Sequence, residues 1–460
     1  MIASPKGSKG GTFLRLGFLI RKNHTTASFQ VILLGFLGLI LLGALLLMLP
    51  LCSRDGRVTP FADTLFTSVS AACVTGLVVQ DTATHWTVWG QLIILALIQI
   101  GGLGVITVAV TFFRLWGRRI SLAQRNMMQQ SISAPQVGGI VRRTGFILRG
   151  SIFVELCGAL LLLPVFVRDY GFAKGLWYSV FHSISAFCNA GFDLMGVREK
   201  YSSLTSYGTD AWVNTVIMLL IIVGGIGFLV WEDLQENCFH LRRLRLQTKL
   251  VLVTSVVLIL LPAGLNFLLE YRDLPLKERI LASLFQSVTT RTAGFNTADL
   301  TKMSEPGILQ MIALMLVGGS PGSTAGGMKT TTVAVLFLAG ATVFRRRDDV
   351  ECFRRRIGQD AIRNAGTILF LYLMLFTVGS AVLSRVEDLP LLTCMFETSS
   401  AVGTVGLTLG ITPSLHHCSR IILMILMFLG RVGALTLVYA LLPGGKNPPG
   451  KKPLETVTVG

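Results

Sequence analysis

The chain has 460 residues, of which 52% are hydrophobic and only 14% are charged, and its formal net charge at pH 7 is +17. So apolar a composition leaves too little polar surface for a soluble globular protein and indicates one that crosses the membrane several times. The positive charge does not indicate a nucleic-acid-binding protein, because it is concentrated in short loops between apolar segments.

Eight apolar segments predict transmembrane helices. The first, Phe29–Pro50, holds about twenty uncharged residues, enough to cross ~30 Å of hydrocarbon as a helix. It is too long for a cleaved signal peptide, and no small-residue cleavage site follows it. The others are Trp86–Phe113, Gly145–Val167, Trp212–Val230, Leu250–Leu269, Ile308–Phe344, Thr367–Leu383 and Ile421–Leu442.

The basic loops predict the orientation of the chain in the membrane. They follow every second span, and the positive-inside rule places such loops in the cytoplasm together with both termini. The eight cysteines form no CxxC pair and have no His partner at metal spacing, so we interpret them as packing residues. The basic clusters are Arg15–Lys22, Arg114–Arg125, Arg142–Arg149, Arg242–Lys249, Arg345–Arg363 and Lys446–Lys452.

A short segment recurs four times between paired spans. The copies are FTSVSAACVTGL (66–77), FHSISAFCNAGF (181–192), FQSVTTRTAGF (285–295) and FETSSAVGTVGL (396–407), and their last glycines are 115, 103 and 112 residues apart. Such regular self-similarity indicates a repeated structural unit, here a helix, a re-entrant half-helix, an extended loop and a second helix. The predicted division is a cytoplasmic segment 1–28, repeats 29–126, 127–246, 247–363 and 364–445, and a cytoplasmic tail 446–460.

The four glycine loops predict a cation filter. Non-helical backbone at membrane depth is tolerated only where it is buried in protein or lines water. Four such loops around one axis would direct rings of carbonyl oxygens at that axis, and such rings replace the hydration shell of a monovalent cation. The alternative is four glycine turns that only reverse the chain. The candidate carbonyl donors are Val74, Thr75, Gly76, Asn189, Ala190, Gly191, Thr292, Ala293, Gly294, Thr404, Val405 and Gly406.

The chain resembles the Trk/Ktr/HKT superfamily of potassium transporters, most closely the KtrB-type membrane subunits of bacterial Ktr systems. The matching segments are ACVTGLVVQDT (72–82), FHSISAFCNAGF, RTAGFNTADL (291–300), MFETSSAVGTVGL (395–407) and GRVGALTL (430–437). The resemblance implies an all-α membrane protein of eight transmembrane helices with pseudo-fourfold repeats around one pore, which takes up K+ across the bacterial cytoplasmic membrane with sodium dependence or stimulation. Plant relatives with Ser at the first filter position prefer sodium, so Gly76 implies potassium selectivity.

The resemblance also implies partners. Ktr membrane subunits form homodimers on a cytosolic ring of nucleotide-binding, KtrA/KtrC-like subunits. ATP/ADP or NAD(H) would therefore act only through a separate polypeptide, and no covalent cofactor is expected. The basic cytoplasmic loops are candidate docking or lipid-contact surfaces.

The third inner span contains GGSPGSTAGGMKTTT (318–332), whose proline and five glycines make a continuous helix unfavourable. A Walker phosphate loop is excluded because Met328 stands where that motif requires Gly. The resemblance implies that the segment Gly318–Gly327 is a gate beneath the filter. Its candidate residues are Gly318, Gly319, Ser320, Gly322, Ser323, Thr324, Gly326, Gly327, Lys329 and Arg431.

Isolated charges inside apolar spans are functional candidates, because burying one is costly. Arg431 stands where the inner spans QIGGLGV (99–105) and IVGGIGF (222–228) have glycine. We expect it to oppose cation flow or to bind the Gly318–Gly327 loop. Arg291 and Glu397 are predicted to form a structural ion pair behind the filter. His182 is interpreted as a hydrogen-bonded core residue, and Asp81 either adds negative potential at the outer mouth or is a solvated loop charge.

Other functions remain as alternatives. One is a sodium-permeable transporter of the same fold, and another is an ion-coupled carrier of organic solutes, which would need a larger midplane cavity. A membrane enzyme is disfavoured, because no Ser/His/Asp set, HExxH motif or paired intramembrane carboxylates are visible.

Overall fold

The computed structural model describes residues 24–115, 120–131, 138–238 and 240–433. Within these ranges the chain is mostly helical. The α-helices are α1 (His24–Leu47), α2 (Phe61–Ala72), α3 (Val88–Leu103), α4 (Val105–Leu115), α5 (Leu122–Ser131), α6 (Ile140–Tyr170), α7 (Phe172–Phe187), α8 (Ala211–Ile226), α9 (Phe228–Glu236), α10 (Leu246–Leu269), α11 (Leu276–Thr289), α12 (Glu305–Met315), α13 (Thr330–Phe344), α14 (Gln359–Glu387), α15 (Leu391–Gly403) and α16 (His417–Val432).

These helices repeat one arrangement four times, so the predicted all-α architecture of helix–pore-loop–helix units is confirmed. Each repeat has a long outer helix (α1, α6, α10, α14), a short pore helix (α2, α7, α11, α15) and an inner segment (α3–α4, α8–α9, α12–α13, α16). By length and composition, the four outer helices could cross a membrane, and the bent pairs α3–α4 and α8–α9 raise the number to six within the described residues. The predicted last span, Ile421–Leu442, extends beyond them.

The inner segments are not straight helices. The α3–α4 pair bends by 98° and the α8–α9 pair by 88°. The bends fall at Gly104 (φ +90°) and Gly227 (φ +102°), a backbone conformation that residues with a Cβ rarely adopt. The segments predicted as Trp86–Phe113 and Trp212–Val230 are therefore each divided into two helices. In the third repeat the helix is interrupted between Met315 and Thr330, where the glycine-rich segment predicts a break.

Short polar side chains cap the N-terminal ends of three of the inner segments. Thr87 accepts a hydrogen bond from the backbone N–H of Gly90, Asp210 from those of Trp212 and Val213, and Ser304 from that of Gly307. Each cap satisfies an N–H that has no partner within its own helix. These caps set the positions at which the chain turns back into the membrane.

The pore helices form the centre of the molecule and the outer helices its periphery. Most residues of α2 and α15 are buried, including their hydroxyl side chains. The outer helices expose large apolar side chains such as Leu41, Leu160 and Leu260, which suits contact with lipid. A two-stranded antiparallel hairpin, β1 (Glu351–Cys352) and β2 (Arg355–Arg356), lies within the basic segment between α13 and α14.

Candidate functional site

The four repeat glycines meet in a closed ring. Each approaches its neighbour so closely that a Cβ atom placed on it would collide with the carbonyl oxygen of the residue before the next ring glycine. A side chain at any of these positions would force the ring to shift, and those carbonyls lie at the ring itself. Each repeat contacts the next one in chain order, and the fourth contacts the first. The pairs of built Cβ and carbonyl oxygen are Gly76 with Ala190 (2.5 Å), Gly191 with Ala293 (2.7 Å), Gly294 with Val405, and Gly406 with Thr75.

The four strands that end at the ring glycines, called the filter strands after their predicted role, share an unusual backbone conformation. The ring glycine and the residue two before it both have positive φ, whereas the residue between them does not. Alternation in the sign of φ turns successive peptide groups of a strand toward the same side, which lines up their carbonyls. Three β-branched residues adopt this conformation, a strained state that the surrounding structure must enforce. The four residues are Val74 (φ +58°), Asn189 (+58°), Thr292 (+74°) and Thr404 (+52°).

A hydroxyl at the end of each pore helix holds the strand that follows. In repeats 1 and 4 the serine oxygen accepts a hydrogen bond from the N–H of the ring glycine, whereas in repeats 2 and 3 the hydroxyl donates to the carbonyl after the ring glycine. Sequence reasoning missed this role, although a Ser or Thr lies five or six residues before every ring glycine. The pairs are Ser70–Gly76 (3.1 Å), Ser400–Gly406 (3.0 Å), Ser185–Phe192 (2.7 Å) and Thr289–Phe295 (2.6 Å).

A second hydroxyl fastens each pore helix to its outer helix. It belongs to the Ser or Thr two residues after the phenylalanine that begins each repeated segment, and it is buried in all four repeats. Ser68 donates to the carbonyl of Ile40 (2.7 Å), Ser183 to that of Glu155 (2.6 Å) and Ser287 to that of Ile259 (2.6 Å), while Thr398 bonds the Ser380 hydroxyl (2.5 Å). The repeated Phe-x-Ser/Thr pattern is thus a packing signal.

The electrostatics of the ring favour a cation without any ionised side chain. All four pore helices end within five residues of their ring glycine, at Ala72, Phe187, Thr289 and Gly403. The C-terminal end of a helix carries partial negative charge from its unpaired carbonyls. Four such ends converge on the ring, where they complement the carbonyl oxygens of the strands.

A cavity of about 670 Å³ opens on the outer side of the ring. The four ring glycines form part of its wall, together with the acidic residues Asp81, Asp193 and Asp299, although burial raises the pKa of Asp193 to about 7. The hydroxyl of Thr301 donates a hydrogen bond that lowers the pKa of Asp299, which stays ionised at neutral pH. Asp81 accepts hydrogen bonds from three backbone N–H groups, including that of Tyr201 (3.2 Å). The outer mouth is therefore acidic, and Asp81 also anchors the loop that borders it.

The Gly318–Gly327 loop lies on the opposite side of the ring. It is closed at its base, where the Gly318 N–H donates to the Met328 carbonyl (2.7 Å). The Thr324 hydroxyl donates to the carbonyl of Phe187 (3.0 Å), at the end of the second pore helix. A Cβ on Gly326 would strike the Thr404 side chain at the lower end of the filter. The loop therefore lies directly beneath the filter.

Bonds to the second inner segment and to Lys329 hold the loop in place. The Ser320 N–H donates to the Gly225 carbonyl (2.9 Å), and the Phe228 N–H donates to the Gly322 carbonyl (2.8 Å). The Lys329 Nζ atom donates to the carbonyls of Ala325 (2.8 Å) and Gly326 (3.3 Å). These hydrogen bonds fix the base of the loop.

Arg431 connects this loop to the first inner helix. Its guanidinium donates to the carbonyl of Thr324 in the loop, and to those of Gly101 (2.6 Å) and Gly102 (3.1 Å) on α3. Arg431 has no carboxylate partner among the ion pairs of the described residues. Because carbonyl groups alone receive the guanidinium, its charge remains beneath the filter.

The predicted ion pair between Arg291 and Glu397 is not formed, so that prediction is wrong. Arg291 reaches the outer helix of its own repeat, where it donates to the Ser255 hydroxyl (3.2 Å). Glu397 accepts hydrogen bonds from the hydroxyls of Thr408 (2.8 Å) and Thr412 in the loop above its own filter strand. Although the third and fourth repeats are neighbours in the ring, the two side chains extend in different directions.

Glu397 belongs instead to a pattern that sequence reasoning missed. The residue after the repeat phenylalanine contacts the chain just beyond the ring glycine in three repeats. His182 accepts from the Leu194 N–H (3.3 Å) through Nε2, while its Nδ1 donates to the Tyr178 carbonyl (2.7 Å). Gln286 donates to the Asn296 amide oxygen (2.8 Å). The buried His182 is thus hydrogen-bonded at both ring nitrogens, consistent with the role expected for it.

Comparisons with known proteins agree with this geometry. Residues 21–447 match the TrkH family, described as cation transport proteins. The chain is 39% identical to the potassium/sodium uptake protein NtpJ of Enterococcus hirae (94% of this chain, 97% of that protein). It is 40% identical to the Ktr system potassium uptake protein B of Bacillus subtilis (89% and 92%). The crystal structure of the potassium transporter TrkH from Vibrio parahaemolyticus has the same fold, with a TM-score of 0.73 at 18% identity, covering 92% of this chain and 86% of that one.

Proposed function

The chain belongs to the TrkH family of cation transport proteins, and on that premise we propose that it takes up K+ across the bacterial cytoplasmic membrane through the four-glycine ring. The ring is the observation that carries this proposal. Two relatives that match along most of their length are named as a potassium/sodium uptake protein, in Enterococcus hirae, and a Ktr system potassium uptake protein, in Bacillus subtilis.

The chemistry of the filter suits a monovalent cation. Backbone carbonyls replace the hydration shell of such an ion, and their neutral dipoles do not hold it so tightly that it cannot leave. The candidate donors are the carbonyls of the three residues that end at each ring glycine. The converging pore-helix ends support a cation there, and the outer carboxylates raise its local concentration.

The Gly318–Gly327 loop, with Arg431 and Lys329, acts as the gate in this proposal. The loop lies beneath the ring, and the Arg431 guanidinium and the Lys329 Nζ atom donate to its carbonyls. A cation that leaves the filter toward the cytoplasm must pass the charge of Arg431, which opposes it electrostatically. Displacement of the loop would remove both the steric and the electrostatic barrier.

Sodium is the basis of a second candidate function. The relative in Enterococcus hirae is named a potassium/sodium uptake protein, so a pore of this fold that also admits Na+ is the main alternative. Sodium could instead stimulate potassium uptake without crossing in comparable amounts. Measuring 22Na+ and 86Rb+ uptake in the same vesicles separates these cases.

The proposed assembly is a homodimer that binds a cytosolic ring of nucleotide-binding, KtrA/KtrC-like subunits. The relative in Bacillus subtilis is named as part of a Ktr system, which supports a partner of this kind. The ring would supply the response to ATP/ADP or NAD(H), and both termini of this chain would be cytoplasmic. The basic β1–β2 hairpin is a candidate contact surface, and the mass of the purified complex tests the assembly.

Uptake of 86Rb+ into proteoliposomes containing this chain tests the proposed function, with a Gly76→Ser variant and a Gly38→Ser control. A Cβ at Gly76 meets the Ala190 carbonyl at 2.5 Å, whereas nothing lies within 4 Å of one at Gly38. We expect selective uptake by the native chain, loss of potassium preference in Gly76→Ser, and native behaviour in Gly38→Ser. Native flux that Gly76→Ser leaves unchanged would exclude the carbonyl ring as the conduction site.

A further inference from the structure

Three arginines line a cavity at the start of the outer helix α6. The cavity holds about 420 Å³, within the usual size range of small-ligand sites, about 300–1,000 Å³. Its wall includes Arg142 and Arg149 from the first three turns of α6, and Arg125 from α5. None of the described residues in this wall is acidic. The cavity is therefore positively charged and suits an anion.

The charges of these arginines are not neutralised within the described part of the protein. None of the three takes part in an ion pair there. Arg149 donates a hydrogen bond to the backbone carbonyl of Gly145 (3.1 Å), one turn earlier in its own helix. The neighbouring Arg143, by contrast, pairs with Glu232 (2.9 Å). The three unpaired guanidinium groups are thus free to bind an anion from outside, and their planar set of donors matches phosphate oxygens.

The position of α6 in the membrane places two of these arginines at the level of the lipid headgroups. Between Arg149 and Arg168, the only acidic or basic residue is the buried Glu155. The two arginines are 19 positions apart, which is about 28 Å along a helix axis and matches the ~30 Å of the hydrocarbon layer. Arg149 therefore lies at the boundary of that layer, and Arg142, two turns earlier, lies among the headgroups.

An exposed apolar stripe continues from these arginines along α6. Residues seven positions apart share one face of a helix, so Arg142, Arg149 and Leu156 lie in line. The stripe consists of Phe153, Leu156 and Leu160, which are 68%, 58% and 65% exposed. A molecule bound along this face would have its anionic group at the arginines and its hydrocarbon on the stripe. Phospholipids combine these two parts.

We propose that the cavity and the stripe form a binding site for an anionic phospholipid, with its phosphate on the three arginines and its acyl chains along the stripe. Basic pockets between membrane helices bind lipid headgroups in this way. A soluble anion could contact the arginines, but it would leave the stripe uncovered. The inference concerns the outer surface of the protein and does not depend on which ion passes the glycine ring.

A lipid in this site would bridge two elements of the fold. Arg125 belongs to α5, whereas Arg142 and Arg149 belong to α6, and α5 also contacts α1 and α4 of the first repeat. A ligand that binds the folded state and not the unfolded one stabilises it by mass action. Anionic lipid should therefore raise the melting temperature of the native protein in detergent.

Native mass spectrometry of the purified full-length protein, titrated with phosphatidylglycerol in detergent, tests the site. Phosphatidylcholine with the same acyl chains and no net charge is the reference lipid. We expect the native protein to bind phosphatidylglycerol at least tenfold more tightly than phosphatidylcholine. Arg142→Gln/Arg149→Gln should lower the phosphatidylglycerol affinity roughly tenfold to thirtyfold, because two positive charges near the headgroup are lost.

Arg242→Gln/Arg243→Gln is the matched control. These two arginines are exposed, precede the outer helix α10 of the third repeat and do not line the cavity. The same loss of charge at this position should leave the phosphatidylglycerol affinity unchanged. An equal decrease in both double variants would show a general attraction between basic protein and acidic lipid, and it would overturn the site.

Inorganic phosphate distinguishes a lipid from a soluble anion. At millimolar concentration it should not displace phosphatidylglycerol, because it makes no contact with the stripe. Displacement that disappears in Arg142→Gln/Arg149→Gln would assign the cavity to a soluble anion and overturn the lipid site. If this double variant does not fold, Arg125→Gln replaces it, with an expected several-fold decrease in affinity, and native affinity in Arg125→Gln overturns the site.

The result for the lipid is separate from that for the transported ion. Native 86Rb+ uptake by a protein that binds the two lipids equally would overturn the lipid site and leave the proposed function intact. Lipid selectivity that depends on the arginines, in a protein without cation uptake, would support the site and contradict the proposed function.

Discussion

Arg420 and Asp63 join the last repeat to the first. The Arg420 Nη1 atom lies 2.8 Å from Asp63 Oδ1, although 357 positions separate the two residues in the chain. Asp63 stands in the first turn of the first pore helix, and Arg420 in the first turns of the last inner helix. The pair therefore closes the circle of repeats on the outer side of the filter, and both side chains are mostly buried.

Removing this closure should lower stability. Arg420→Gln leaves the Asp63 side chain with only its hydrogen bond from Gln80 (3.0 Å). We expect the free energy of unfolding to fall by about 1–3 kcal/mol. Thermal unfolding in detergent measures it. Arg363→Gln is the control, because the exposed Arg363–Asp360 pair contributes little, roughly 0–1 kcal/mol. Equal melting temperatures for the two variants would show that Arg420 does not hold the repeats together.

The Ser70 hydroxyl should maintain selectivity. Ser70→Ala leaves the buried N–H of Gly76 without its acceptor, at a cost of about 1–3 kcal/mol, and releases one filter strand. We expect a lower Rb+/Na+ uptake ratio in proteoliposomes. Ser151→Ala removes a buried hydroxyl that has no partner, and it should leave the ratio unchanged. A native ratio in Ser70→Ala would mean that the strand keeps its shape without this bond.

Neutralising Arg431 should open the proposed gate. Arg431→Gln removes a positive charge beneath the filter and weakens the bonds to Thr324 and Gly101, so we expect Rb+ uptake to rise about fivefold or more. Arg385→Gln, at the exposed end of α14, controls for the loss of an arginine from a membrane helix. Reduced uptake in Arg431→Gln, with protein level and folding unchanged, would argue that Arg431 supports conduction and does not oppose it.

Arg291 and Glu397 should be energetically independent. Each side chain is hydrogen-bonded within its own repeat. The decrease in the free energy of unfolding of the double variant Arg291→Met/Glu397→Gln should therefore equal the sum of the decreases in the two single variants, to within about 0.5 kcal/mol. Chemical or thermal unfolding of the native protein, the two single variants and the double variant measures these free energies. A coupling energy well above that limit would restore the ion pair expected from the sequence.

The sequence determined the repeat and the place of the glycine ring. Both depend on local patterns, since a pore helix that begins with Phe-x-Ser/Thr and ends in a glycine strand builds the same shape wherever it recurs. The break at Gly318–Gly327 was predictable for the same reason, because proline and several glycines disfavour a helix whatever surrounds them. The resemblance of these motifs to one family indicated the function.

Only the tertiary structure decided how the repeats touch one another. Arg291 and Glu397 could be expected to pair because their repeats are adjacent, but the direction of each side chain depends on the helix beside it. The bend at Gly104 and the closing pair Arg420–Asp63 depend in the same way on neighbours distant in the chain. Side-chain direction and long-range contacts arise from packing, and local sequence carries no record of which residue will lie opposite.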